Sequence, residues 1–104
     1  MNIDKKKWVT FSFTESLIKI AKKNKKIIVL DADLSDDLGL NKFSDLFPKR
    51  FIQNGIAEQD MVSMAGGIAL NGLLPLVNSF ASFMTARANE QIYNNATEQT
   101  KIIY

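Results

Sequence analysis

The sequence predicts an α/β domain: a mostly parallel sheet with helices on both faces. Three observations point there. Short runs rich in β-branched and aromatic residues, at 27–30, 51–53 and 73–79, alternate with longer stretches whose apolar residues recur at helical spacing. The run at 27–30 is apolar at every position, as in a strand covered on both sides. Strands joined in this way through helices form parallel sheets with right-handed crossovers.

Residues 1–9 read as an irregular lead-in anchored by Trp8. Thr10 or Ser12 is placed to cap the first helix, and Ser12 with Glu15 fits a capping box. Phe13, Leu17, Ile20 and Ala21 form its apolar stripe. Lys22, Lys23, Lys25 and Lys26 close it, where cations suit the helix dipole. After the strand at 27–30, Asn41 is placed to cap a short helix through Phe47, which Pro48 stops. The strand at 51–53 leads to a helix beginning near Glu58. Its buried face is expected to hold Met61, Met64, Ala65, Ile68 and Ala69, with Gly72 as its terminator. In the strand at 73–79, Pro75 marks an edge or an irregular entry. A single helix is expected at 82–96, and residues 101–104 open a fourth strand. No linker or repeat interrupts the pattern, so residues 1–104 read as one domain.

A chain of 104 residues permits a modest core. Apolar content of 46% and charged content of 23% describe an ordinary globular protein. No apolar run reaches the ~18 residues that span a bilayer, and no apolar segment follows the Lys-rich start, so neither a membrane anchor nor a signal peptide is expected. There is no Cys and no His, which removes disulfides, thiolate metal sites and the commonest general base. A reducing cytoplasm is the expected location. Residues 1–26 carry eight lysines against Asp4 and Glu15, while the remainder carries five basic and nine acidic residues. The basic end reads as a solvated helix face and loop; no aromatic ladder or reader motif points to nucleic acid.

The chemistry concentrates around Asn54-Gly55-Ile56-Ala57-Glu58-Gln59. Strand, glycine turn and helix in succession bring functional groups to the C-terminal edge of a parallel sheet. On the residues alone, Glu58 also fits an acid that complements the helix dipole. Phe80 and Phe83 also fit a core at helical spacing. Asp31, Asp33, Asp36 and Asp37 lack the spacing and distal Glu of an EF-hand loop, so no metal site is expected in this chain.

Gly55-Ile56-Ala57-Glu58-Gln59, followed by a small-residue helix ending Ala69-Leu70-Asn71-Gly72, resembles the pyrimidine-binding module of transketolase-like, thiamine diphosphate-dependent enzymes. The likeness is to the C-terminal subunit of split transketolases and to deoxyxylulose-phosphate synthases. Asp31-Ala32-Asp33-Leu34-Ser35 matches a second motif. Ser79, Phe80, Phe83, Arg87-Ala88 and Gln91-Ile92 match a third, in the same order. The resemblance covers residues 10–104 and implies an incomplete module, cut short after the fourth strand.

The resemblance assigns Glu58 the catalytic role. A carboxyl hydrogen-bonded to N1′ of the cofactor's aminopyrimidine favours the imino tautomer that deprotonates the thiazolium. It places Phe83 on the pyrimidine with Phe80 beside it, and Asp33, Leu34 and Ile56 along the cofactor. Arg87 is expected to pair with Glu90 or a loop carboxylate. The motif that holds Mg2+ and the diphosphate is absent, so a partner subunit would supply it, in a homo- or hetero-oligomer, and this chain would be inactive alone. The implied reaction moves a two-carbon ketol unit between sugars.

Four positions depart from the family pattern: Phe11 replaces an Arg, Asp37 a phosphate-holding Ser, Asn89 an aromatic and Asp60 a His. A carboxylate opposes a phosphate, so an unphosphorylated or unusual sugar substrate is expected. One alternative is a non-catalytic interaction fragment of the same fold, its open sheet edge covered by a partner chain. Another is an unrelated small α/β binding domain.

Overall fold

In the computed structural model, which describes residues 5–104 and side chains from Thr10 onward, β1 (Ile27–Asp31) is the centre of the sheet. It pairs in parallel with β2 (Phe51–Gln53) on one side and β3 (Leu74–Asn78) on the other. Side chains alternate along a strand. Ile27, Val29 and Leu76 accordingly face Leu17, Ile18 and Ala21 of α1 (Lys5–Lys23) and Phe43 of α2 (Asn41–Leu46). Leu30 and Val77 face the opposite way, onto Met61, Val62 and Ala65 of α3 (Glu58–Leu70). Met84 of α4 (Ala81–Arg87) joins that second cluster, and Ile92 of α5 (Asn89–Thr97) packs against it. The expected parallel α/β layering, with helices on both faces, is what the chain adopts.

Several local expectations need correction. The chain is already helical at Lys5, so residues 5–9 are not an irregular lead-in, and Thr10 and Ser12 lie inside α1 rather than at its start. Trp8's side chain lies outside the described residues. The buried stripe of α1 is Thr14, Leu17, Ile18 and Ala21; Phe13 and Ile20 are exposed. Thr14 tolerates burial because its hydroxyl donates to the Gly39 carbonyl at 2.9 Å. The helix ends at Lys23, where Arg50 donates to the Ala21 and Asn24 carbonyls at 3.1 Å each. The cation at this helix end therefore comes from the turn Pro48–Arg50, not from the neighbouring lysines alone. Asn41 is the first residue of α2 rather than its cap, and its side chain donates to Asp36.

On α3 the buried residues are Glu58, Met61, Val62, Ala65 and Gly66, whereas Met64 is exposed. Gly72 ends the helix as expected, in the left-handed region at φ 85°. Its N–H donates to Ala69 and that of Leu73 to Ile68, which satisfies the last carbonyls. The helix expected at 82–96 is two, α4 and α5, meeting at Ala88. Ala88 is fully buried, and Asn95 of α5 reaches the Val62 carbonyl at 2.8 Å. A straight helix is given up so that both segments pack on α3.

The fourth strand is a single parallel bridge, Leu76 to Ile103. The connection before it is tight: Gln99 is left-handed at φ 55°, and Thr100 bonds back to the Asn95 carbonyl. Pairing starts only at Ile103, whose N–H donates to Pro75 and whose carbonyl accepts from Val77. Pro75 therefore sits on the outer strand, where its missing N–H costs no ladder bond.

Candidate functional site

Each strand ends in a polar residue: Asp31, Gln53 and Asn78 lie side by side at the C-terminal edge. Asp31 is fully buried, and a buried carboxylate needs donors. It has three. Gln53 Nε2 and the Leu34 N–H donate to Oδ2 at 2.9 Å, and Asn78 Nδ2 donates to Oδ1 at 2.7 Å. Gln53 Oε1 in turn accepts from the Asp33 N–H at 2.7 Å and the Gly55 N–H at 3.1 Å. The loops after β1 and β2 are thus fastened to one side-chain network. Asp33 takes φ 59° there, a conformation that few residues other than Gly adopt without support.

Glu58 is the first residue of α3, and its carboxylate is almost fully buried, at 3% exposure. It is buried because it lies on the same helical stripe as Met61, Val62 and Ala65. Its hydrogen bonds are long. Arg87 Nη1 reaches Oε1 at 3.4 Å and Oε2 at 3.3 Å, and the Ser79 hydroxyl reaches Oε1 at 3.4 Å. Charge-assisted bonds are usually about 2.7–2.9 Å, so this carboxylate keeps acceptor capacity for a closer partner. The Arg87 guanidinium also lies 4.2 Å over the centre of the Phe83 ring. Phe80 stands beside Phe83, ring centres 5.5 Å apart and tilted by 40°. A flat cationic group is therefore held between an aromatic face and a buried carboxylate.

Glu58, Phe83 and Phe80 come together through Arg87 and Ser79. Asp33 and Leu34 are fastened to the loop of Gly55 and Ile56 through Gln53 and Asp31. Ile56 is 73% exposed and makes an open rim. Arg87 pairs with Glu58 and not with Glu90. The spacing of Arg87 and Glu90 along the chain pointed to a local pair; with the helix broken at Ala88, the half-exposed Arg87 faces Glu58 instead. Gln53 and Asn78 were not singled out from the sequence, and Asp31 and Ser79 appeared there only as motif members without a role. A signal existed: each of the first three is the polar residue that closes a strand.

Two apolar hollows, of about 270 and 360 Å³, lie along α1, β3 and Ile103. Neither is lined by Glu58, Phe80 or Phe83. Phe13, Leu76 and Ile103 line both. Among the described residues, no group of three or more acidic side chains is placed to hold a metal ion. Among them, too, no helix is long and apolar enough to cross a membrane.

Residues 5–104 match the family "Transketolase, pyrimidine binding domain". A transketolase C-terminal section of Methanocaldococcus jannaschii is 43% identical over 82 residues, 79% of this chain and 26% of that protein. The 1-deoxy-D-xylulose-5-phosphate synthase of Syntrophus aciditrophicus is 38% identical over 87 residues, 84% of this chain and 13% of the synthase. Among solved structures, a split-gene transketolase described as an inactive beta4 tetramer superposes with a TM-score of 0.72 at 39% identity. It covers 83% of this chain and 29% of that one. The chain thus spans less than a third of the length of each of these relatives.

Proposed function

The chain belongs to the transketolase pyrimidine-binding family, and from that premise we propose that it supplies the pyrimidine half of a thiamine diphosphate site in a transketolase-like enzyme. The observation that carries the proposal is the slot between Glu58 and Phe83. A planar hydrogen-bonding cation already lies on the Phe83 ring and reaches the Glu58 carboxylate. An aminopyrimidine is also planar and hydrogen-bonds through its edge, so the residues fit it.

When bound, thiamine diphosphate supplies the chemistry for breaking and making carbon–carbon bonds beside a carbonyl. The protein's part is to bind and orient. Phe83 offers a ring face, worth about 0.5–1.5 kcal/mol beyond area burial. Glu58 holds a hydrogen bond at the ring edge, in a place dry enough to strengthen it. Arg87 must swing aside, and with its side chain 48% exposed it has solvent to swing into. Ser79 then remains to orient the carboxylate. The loops of Asp33, Leu34 and Ile56 form the rim. Mg2+ and the diphosphate belong to a partner subunit in an oligomer, and transfer of a two-carbon ketol unit is the proposed reaction.

The test combines this chain with a subunit carrying the diphosphate-binding half, thiamine diphosphate and Mg2+, and follows consumption of a donor ketose. Turnover that Glu58→Gln abolishes is the expected outcome. Turnover at the unsubstituted rate in that variant removes Glu58 from the mechanism.

A second reading, a partner-binding fragment without turnover, is supported by the apolar edge. Phe13 and Ile20 are 42% and 56% exposed beside Leu74 and Ile103. Tight association without ketose consumption favours it.

A further inference from the structure

We infer that Gln53 is a positioning residue: its side-chain amide couples the loop after β1 to the loop after β2, so that the two rims of the site move as one. This goes beyond the reading of Glu58 and Phe83, on which it rests only for the meaning of those rims.

The orientation of the Gln53 amide is fixed from both ends. Asp31, when ionised, is acceptor-only, so it takes the NH2 end, Nε2 to Oδ2 at 2.9 Å. That leaves Oε1 facing two backbone donors, Asp33 at 2.7 Å and Gly55 at 3.1 Å. Turning the amide over would set its NH2 against both N–H groups and its oxygen against a buried carboxylate. A backbone bond continues the fastening, since the Asn54 N–H donates to the Asp31 carbonyl at 2.9 Å. β2 and β3 do not touch in the sheet order β2-β1-β3. Asn78 on β3 nevertheless joins the network, donating to the other oxygen of Asp31 at 2.7 Å. Asp33, left-handed at φ 59°, is the residue that most needs the coupling. Asp33 and Leu34 hang from the same network as Gly55, three residues before Glu58. A change at Gln53 should therefore reach both rims at once.

Amide hydrogen exchange on the chain itself tests this without any cofactor. In Gln53→Leu, the Asp33 and Gly55 amides should lose protection together, each by about tenfold. The Val29 and Leu30 amides in the core of β1 should keep theirs. Gln53→Glu sets two carboxylates face to face and should give the same double loss. Adding Asp31→Asn to it lets the new amide donate to Glu at 53 while its oxygen still accepts from Asn78, so protection should return at Asp33 and Gly55 but not at Leu34, whose N–H loses its acceptor. The inference is overturned if only one of the two amides responds, if neither does, or if the double variant recovers nothing. Should Gln53→Glu not fold, Gln53→Leu still decides. Failure of thiamine diphosphate to bind would sink the cofactor reading and leave this exchange result standing.

Discussion

Gly66 and Gly67 are neighbours on α3, yet replacing each with Ala should move stability in opposite directions. A Cβ on Gly66 would lie 2.2 Å from Asn95 Oδ1 and 3.0 Å from its Cγ; one on Gly67 would meet no atom within 4 Å. The Asn95 side chain has little freedom to yield. It donates to the Val62 carbonyl at 2.8 Å and the Tyr104 hydroxyl at 3.2 Å. The Asn95 carbonyl also holds the turn, accepting from the Thr100 hydroxyl at 2.8 Å. The new methyl must therefore push α5 off α3 or expel the amide. Overpacking costs about 1–3 kcal/mol, and a buried amide or carbonyl left without a partner costs a similar amount. These costs overlap, and the better helix propensity of Ala offsets about 1 kcal/mol. The net expectation for Gly66→Ala is a loss of about 1–3 kcal/mol. Gly67→Ala keeps only the propensity gain, about 0.5–1 kcal/mol.

Urea unfolding, followed by circular dichroism, measures both. With slopes of about 1–3 kcal/mol per M, the two midpoints should separate by roughly 1 M, at unchanged slope. Equal midpoints would refute the close approach of α5 to α3. A changed slope would mean that two-state comparison had failed.

Three further substitutions probe the site and its support. Glu58→Gln should alter unfolding stability by less than about 1 kcal/mol, because its ion-pair partner is half exposed; a larger loss by thermal melting would make Glu58 a structural residue first. Arg87→Ala should empty the slot over Phe83 and raise the affinity of the reconstituted enzyme for thiamine diphosphate by up to about fivefold. Weaker binding by calorimetry would instead make Arg87 part of the cofactor's own holding. Arg50→Ala frees two carbonyls at the end of α1 and removes the guanidinium 4.2 Å from the Phe47 ring. It should cost about 1–2 kcal/mol, or a Tm lower by roughly 4–8 °C per kcal/mol; an unchanged Tm would refute the cap.

Strands and helices were legible because their signals are local. Residues 27–30, four consecutive apolar residues, read as a doubly covered strand, and Gly72 could end a helix by adopting positive φ. What was not legible depends on tertiary choice. Phe13 and Thr14 are adjacent on α1; hydrophobicity alone buries Phe13, yet the Gly39 carbonyl gives Thr14 a partner and the helix turns that way. Met64 lost its place to Gly66 for a related reason, since only a residue without a side chain lets Asn95 reach α3. Nothing in residues 82–96 announces a break, because no Gly or Pro lies there. At the site, the motif residues were visible individually. The polar network beneath them was not, because Asp31, Gln53 and Asn78 meet only when three separate strands are in register.

The burial of Glu58 ties fold and chemistry together. It occupies the first position of a stripe continued by Met61, Val62, Ala65 and Gly66. The core contacts that seat α3 therefore also set the depth of the carboxylate. An acid at such a position gains nothing from the apolar side and depends on what reaches it from the open end, here Arg87 and Ser79 at 3.3–3.4 Å. All three contacts are longer than usual charge-assisted bonds. The folded chain thus carries a buried acceptor that a closer planar partner would satisfy better. On the proposed reading, a closer bond made on binding would be a source of affinity that an exposed acid at the same helix start would lack.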